Sequence, residues 1–179
     1  MKAAMLGSVS HSCAQYGRGP VVVVRGDRRR HIRTGRVVVG VDGSSGSVAA
    51  LRLAQEMAVA RGAKLQVIHA WTLPYLTLTA PARRVPPADV EKVERQARSR
   101  LEESLDRGAI DPTRSDVDTV LAKAFPEAAL LGAAQAADLL VVGTRGNGGW
   151  KGLLLGSVSM RCLTHARCPV VVARDKPAT

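Results

Sequence analysis

The sequence predicts an α/β fold, a parallel sheet with helices on both faces. Three observations carry this. Short, nearly continuous runs of Val, Leu and Ile alternate with longer stretches in helical period, the pattern produced by right-handed crossovers between parallel strands. Hydrophobic residues make up 46% of the 179 but aromatic residues only 3%, so the core is built from Val, Leu and Ala. The chain also turns polar and glycine-rich after two strands, in VVVGVDGSS and VVGTRGNGG, and sheets of this kind bind ligands at such strand ends. The length suits one domain of ordinary size with a short appendage.

The first strand is RVVVGVD from Arg36, a β-branched run of the type buried on both faces. SSGSVAALRLAQEMAVARGA follows as a helix, with Val48, Leu51, Gln55 and Ala58 along one line and Leu53, Ala54 and Met57 widening it. Ser44 or Ser45 caps its start and Gly62 ends it. KLQVIHAW, residues 64–71, is the second strand, and the Pro-rich stretch after it is a long loop of the kind that covers sites. From Asp89 an amphipathic helix runs through Val90, Val93, Ala97, Leu101 and Leu105. VDTVLA from Val117 is the third strand, Pro126 opens the helix PEAALLGAAQAA, and LLVVG after Asp138 is the fourth strand. LLLGSVSMRCLTHA is the last helix and CPVVVAR the fifth strand.

Several function classes lack their residues. The net charge of +11 is concentrated in the first 36 residues, which hold eight Lys or Arg against Asp27 alone. The segment RGDRRRHIRTGR has no aromatic side chain to stack bases, and reads as a solvated linker before it reads as a nucleic-acid site. Cys13, Cys162 and Cys168 form no CxxC pair and read as reduced thiols packed as small apolar residues. No apolar run approaches the ~20 residues of a membrane span, and no secretory leader is evident, so the cytoplasm is the expected location. There is no GxxxxGK[ST] loop, no GxGxxG and no GxSxG elbow. His69, inside a strand, is expected to be a hydrogen-bonded core histidine.

The chemistry concentrates in GTRGNGGWKGLLLGS, where Gly143, Gly146, Gly156 and Ser157 stand in the spacing Gly-x2-Gly-x9-Gly-Ser. Glycines let backbone amides approach phosphate oxygens, and a hydroxyl with the free amides of a helix start adds donors. Asp42, a carboxylate at the neighbouring strand end, suits a ribose hydroxyl or a Mg²⁺ bridging phosphates, and can also cap the following helix.

VVVGVDGS, KLQVIHAW and above all GTRGNGGWKGLLLGSVS followed by CPVVVAR resemble the universal stress protein family, in its ATP-binding subclass, from about Arg36 to Asp175. That resemblance implies a five-stranded parallel sheet in the order 3-2-1-4-5. It implies ATP with Mg²⁺ as ligand, Asp42 near ribose or metal, and Gly40 and Val41 edging the adenosine. Ala70 would contact adenine; Val142, Gly143, Arg145 and Gly146 would line the base, ribose and first phosphates; Gly156, Ser157, Val158 and Ser159 would hold the remaining phosphates. Lys151 is a further candidate for the terminal phosphate. The expected role is a nucleotide-responsive regulator of stress response with slow hydrolysis or autophosphorylation at most. The alternatives are an enzyme of the wider adenine-nucleotide hydrolase group and a nucleic-acid binder using the Arg-rich segment.

LGSVSHSCAQYGRGPVVVVR, from Leu6, repeats LGSVSMRCLTHARCPVVVAR, from Leu155, without a gap. It therefore resembles the last helix and strand of a preceding domain. The expected organisation is a remnant over residues 1–25, an Arg-rich linker over 26–35 and the stress protein domain over 36–175. An orphan Val21–Val24 strand needs a partner. Val170–Val172 is the expected one, within the chain or across a homodimer formed through the last strand. Gly7, Ser8 and Ser10 would be relics of a phosphate site.

Overall fold

A computed structural model describes residues 7–24, 33–73, 86–147 and 154–174. Within them the chain forms α1 (Ser8–Tyr16), β1 (Val21–Val23), β2 (Arg36–Gly40), α2 (Ser45–Arg61), β3 (Lys64–Trp71), α3 (Pro87–Gly108), β4 (Val117–Lys123), α4 (Pro126–Ala133) with a 3₁₀ turn at Ala134–Ala136, β5 (Leu139–Gly143), α5 (Ser157–His165) and β6 (Val170–Ala173). The Arg-rich stretch at 25–32, the Pro-rich loop at 74–85 and Lys151 lie outside the described residues.

The strands make one sheet in the order β1-β6-β5-β2-β3-β4. The five from β2 onward are parallel and reproduce the expected order 3-2-1-4-5. The five parallel strands are joined by a sixth, the expected Val21–Val24 strand, which makes the sheet mixed: β1 runs antiparallel along the free edge of β6, with Val21 opposite Val172 and Val23 opposite Val170. The physical reason is the open backbone edge of β6, which β1 satisfies within the same chain.

Alternation along the strands divides the core. Val37, Val39 and Val141 face α2 and α3, where Leu51, Ala54, Leu101 and Leu105 cover them. Val38, Leu140, Val170 and Val172 face α4 and α5, where Leu130, Cys162 and Leu163 cover them, and Ala14 of α1 joins that side. Period-two burial on both faces is what continuous β-branched runs encode.

Local signals set the boundaries. Ser44, not Ser45, caps α2 by accepting the Ser47 N–H, and Gly62 ends it in the left-handed region at φ 59°. Asp138 accepts the N–H groups of Thr34 at 2.6 Å and Gly35 at 2.9 Å, fixing the entry to β2 beside the start of β5. Two expectations are corrected. The last helix begins at Ser157, because Gly156 is extended at φ −75°, ψ 158°. Cys13 is exposed, while Cys162 and Cys168 are buried as expected.

Candidate functional site

At the carboxyl ends of the parallel strands, α2 leaves β2 toward one face and α5 leaves β5 toward the other, although β2 and β5 are neighbours. A crevice opens where successive helices part in this way. It is a pocket of about 280 Å³. Gly40, Val41, Asp42, Ala70, Val142, Gly143, Arg145, Gly146, Gly156, Ser157, Val158 and Ser159 all line it, so the twelve residues singled out in the sequence meet at one place. Ser47, Ile68, Pro126 and Leu130 complete the lining.

One side of the pocket is apolar. Ile68 and Ala70 come from the same face of β3, with Leu130 of α4 lying against Gly40, where an added Cβ would stand 2.9 Å from Leu130 Cδ1. Ile68 was within reach of sequence reasoning, since it is two residues from Ala70 on a period-two strand. Pro126 and Leu130 gave no such signal, because their role depends on α4 crossing over the sheet.

The polar side is organised by Asp42. Its Oδ1 accepts the Ser44 N–H at 3.1 Å and the Ser44 hydroxyl at 2.6 Å, and its Oδ2 accepts the Asn147 N–H at 2.7 Å. Asn147 Nδ2 in turn donates to the Asp42 carbonyl at 2.6 Å, and the Asp42 N–H donates to Ser47 Oγ at 3.2 Å. Burial pushes the Asp42 carboxyl pKa up, but the hydrogen bonds from Ser44, Asn147 and Ser47 outweigh it and hold the group below the ordinary 3.8. Asp42 is therefore ionised at neutral pH. Gly146 packs against this carboxylate so closely that a Cβ would collide with Oδ2. A glycine is needed there for Asp42 before any ligand is considered.

Beyond the glycine turn, Gly156 donates its N–H to the Thr144 carbonyl at 2.7 Å, which sets the first turn of α5 beside the end of β5. Ser159 is buried and donates its hydroxyl to the Gly143 carbonyl at 2.7 Å. Ser157 is exposed at the helix start. The first-turn amides of α5 thus face the pocket mouth with Ser157, an arrangement suited to an anion. His69 is buried and its Nδ1–H donates to the Val41 carbonyl at 2.8 Å, as a core histidine does. Cys162 and Cys168 are pushed up by burial to about 12 and about 11, which keeps both thiols protonated and unreactive. Among the described residues no three His, Cys, Asp or Glu side chains gather at metal-binding distance, and no helix is long and apolar enough to cross a membrane.

Comparison with known proteins is consistent across sequence and structure. The family described as universal stress protein matches residues 34–174. A universal stress protein of Mycolicibacterium smegmatis is 37% identical over 175 residues, covering 96% of this chain and 57% of its own length. One from Mycobacterium tuberculosis is 36% identical over 175 residues, with 96% and 54% covered. The chain thus spans about half the length of these curated relatives. Among solved structures, universal stress protein UspA from Lactobacillus plantarum aligns with TM-score 0.61 at 22% identity, over 80% of this chain and 100% of that one. A universal stress protein from Archaeoglobus fulgidus aligns with TM-score 0.63 at 23% identity, over 97% and 57%. Both support the fold.

Proposed function

The chain belongs to the universal stress protein family, and from that premise we propose that its pocket binds ATP with Mg²⁺ and that the protein is a cytoplasmic, nucleotide-responsive regulator of stress response. The observation that carries this reading is the convergence of the glycine turn, the α5 amino terminus and Asp42 on one pocket. Adenine would lie against Ile68, Ala70 and Leu130. Gly143, Arg145 and Gly146 would follow the ribose and first phosphates, and Gly156, Ser157, Val158 and Ser159 the remaining phosphates.

The residues fit these ligands chemically. A phosphate at the start of α5 gains roughly 0.3–1 kcal/mol from the helix dipole and about 1.5–3 kcal/mol for each hydrogen bond to its charge. Mg²⁺ keeps several waters and needs only one or two carboxylates beside the phosphates; Asp42 is ionised, and its Oδ2 has acceptor capacity beyond the Asn147 bond. Among the described residues Asp42 is the only carboxylate lining the pocket. That supports a binding protein with slow hydrolysis or autophosphorylation at most, in preference to a turnover enzyme.

The domain organisation belongs to the same proposal: residues 1–25 end a preceding domain, 26–35 link it, and 36–175 form the nucleotide-binding domain. Relatives that cover 96% of this chain yet extend to nearly twice its length support it.

The deciding experiment is to denature freshly purified protein and chromatograph what it releases. ATP, ADP or AMP in near one-to-one amount is expected. No nucleotide, together with no heat of binding for ATP and Mg²⁺, would overturn the reading.

A further inference from the structure

The turn that carries Asp42 is tied down from a third side. Its hydrogen bonds with Ser44, Ser47 and Asn147 come from the start of α2 and from the glycine turn after β5. A further bond comes from α3: Arg107 Nη1 donates to the Gly43 carbonyl at 2.6 Å, across 64 residues of sequence.

The packing of α3 explains how Arg107 comes to be there. Gly108, the last residue of α3, is buried against α2, where a Cβ would stand 2.6 Å from Leu51 Cδ2. The glycine lets the end of α3 settle on α2, and Arg107 then lies beside the first turns of that helix, next to Ser45, Val48 and Ala49. The contact runs both ways, since Arg52 Nη2 donates to the Arg107 carbonyl at 2.5 Å. Glu103, one turn earlier on α3, stands 3.6 Å from Arg107 Nη1 and steadies the guanidinium.

Arg107 does not line the nucleotide pocket; with Arg52 it borders a separate surface recess. What it holds is the backbone next to Asp42. Gly43, at φ 84°, turns the chain from β2 into α2 in a conformation that suits glycine. A guanidinium N–H on a carbonyl is a charge-assisted bond, stronger than the neutral kind.

We infer that Arg107 is a positioning residue: by holding the Gly43 carbonyl it fixes the turn that aims Asp42 at its ligand, so that α3 acts on the pocket without lining it. The effect on ligand affinity rests on the proposed nucleotide pocket; the effect on the turn does not.

Two variants at this position separate the bond from the side chain that carries it. Arg107→Met keeps the stem but has no donor, and Arg107→Lys keeps a charged donor for the single carbonyl. In the ligand-free full chain, hydrogen exchange is read at the amides of Ser44 and Asn147, which both donate to the Asp42 carboxylate. Exchange there is expected to quicken by about three- to tenfold in Arg107→Met and to stay within about twofold of wild type in Arg107→Lys. The amides of β2 and β5 should be unchanged in both variants, because Arg107 is exposed and its loss uncovers no core. Calorimetry with ATP and Mg²⁺ should follow the same order, with affinity lowered by about three- to tenfold in Arg107→Met and kept in Arg107→Lys.

Wild-type exchange at Ser44 and Asn147 in Arg107→Met would overturn the inference. So would faster exchange spread through β2 and β5, the mark of a bond that only supports the fold, and so would a Lys variant as fast as the Met one. Full ATP affinity in Arg107→Met would overturn it too. A wild type that bound no ATP would refute the pocket reading instead, with the exchange measurement still deciding the role of Arg107.

Discussion

Asp42 and Asn147, 105 residues apart in sequence, hold each other by two hydrogen bonds: the Asn147 N–H donates to the Asp42 carboxylate at 2.7 Å, and Asn147 Nδ2 donates to the Asp42 carbonyl at 2.6 Å. The turn after β2 and the glycine turn after β5 are thereby locked together at the pocket mouth. Asp42 shapes the site through this contact whatever it does for a ligand.

Replacing Asp42 by Ala removes a partly buried acceptor from the Asn147 and Ser44 N–H groups. The expected cost is about 2–3 kcal/mol of stability, the size of a charged hydrogen bond plus an orphaned donor. Denaturant titration measures it. The same variant is expected to weaken ATP binding in calorimetry, and unchanged affinity would confine Asp42 to a structural role.

The pH dependence of that contribution follows from its sign. The folded pKa of Asp42 lies below the ordinary 3.8, so the stabilisation is fully present above about pH 4 and is lost as pH falls through the folded value. The stability gap between wild type and Asp42→Asn should therefore be constant from pH 5 to 7, by the same linkage, and narrow in acid. A gap that widened in acid would contradict the assignment.

Gly146 and Gly156 separate two roles of glycine. An alanine at 146 collides with the Asp42 carboxylate, whereas the nearest atom to a Cβ at 156 is the Thr144 carbonyl oxygen at 3.4 Å, an ordinary contact. Gly146→Ala should lower both the melting temperature and nucleotide affinity. Gly156→Val should keep the melting temperature and lose affinity by about tenfold or more, as expected for one lost charged hydrogen bond. Retained affinity at 156 would show that the phosphates do not approach the start of α5.

Leu130 spans the core under α4 and the apolar wall of the pocket. Leu130→Ala is expected to cost about 2–4 kcal/mol in stability and, under the proposed pose, to weaken adenosine and ATP binding by a similar factor. Loss of ATP affinity without loss for adenosine would place the base elsewhere.

The thiols give a prediction of their own. Burial raises Cys162 and Cys168 from the ordinary 9.0 to about 12 and about 11, so their neutral forms stabilise the fold below pH 9 and that contribution fades as pH rises through the raised values. At pH 8 iodoacetamide should add one group per native chain, on Cys13, as read by mass spectrometry. Three adducts would mean that the buried thiols open to solvent.

Much of the site was legible because its signals are local. A glycine spacing, a carboxylate at a strand end and a serine at a helix start mark Asp42, Gly143, Gly146, Gly156 and Ser157 over a few residues, and these line one pocket together with the seven positions that only the family resemblance implied. Asn147 was missed although it sits inside the quoted glycine stretch, because its importance lies in reaching Asp42, and nothing local encodes that reach. Ser47 was read only as part of a helix, yet its Oγ accepts the Asp42 N–H.

By itself the sequence determined the order of strands and helices, a serine cap at Ser44 or Ser45, the glycine stop at Gly62, and the repeat shared by the two ends of the chain. Periodicity and capping act within one or two turns and are written in consecutive residues. Only the tertiary structure decided that Val22 sits antiparallel on Val171, that α4 carries Leu130 over Gly40, and that Asn147 closes on Asp42. Those are choices among distant partners of similar chemistry. They are settled by which edge is left open and which side chain reaches it once the sheet has formed.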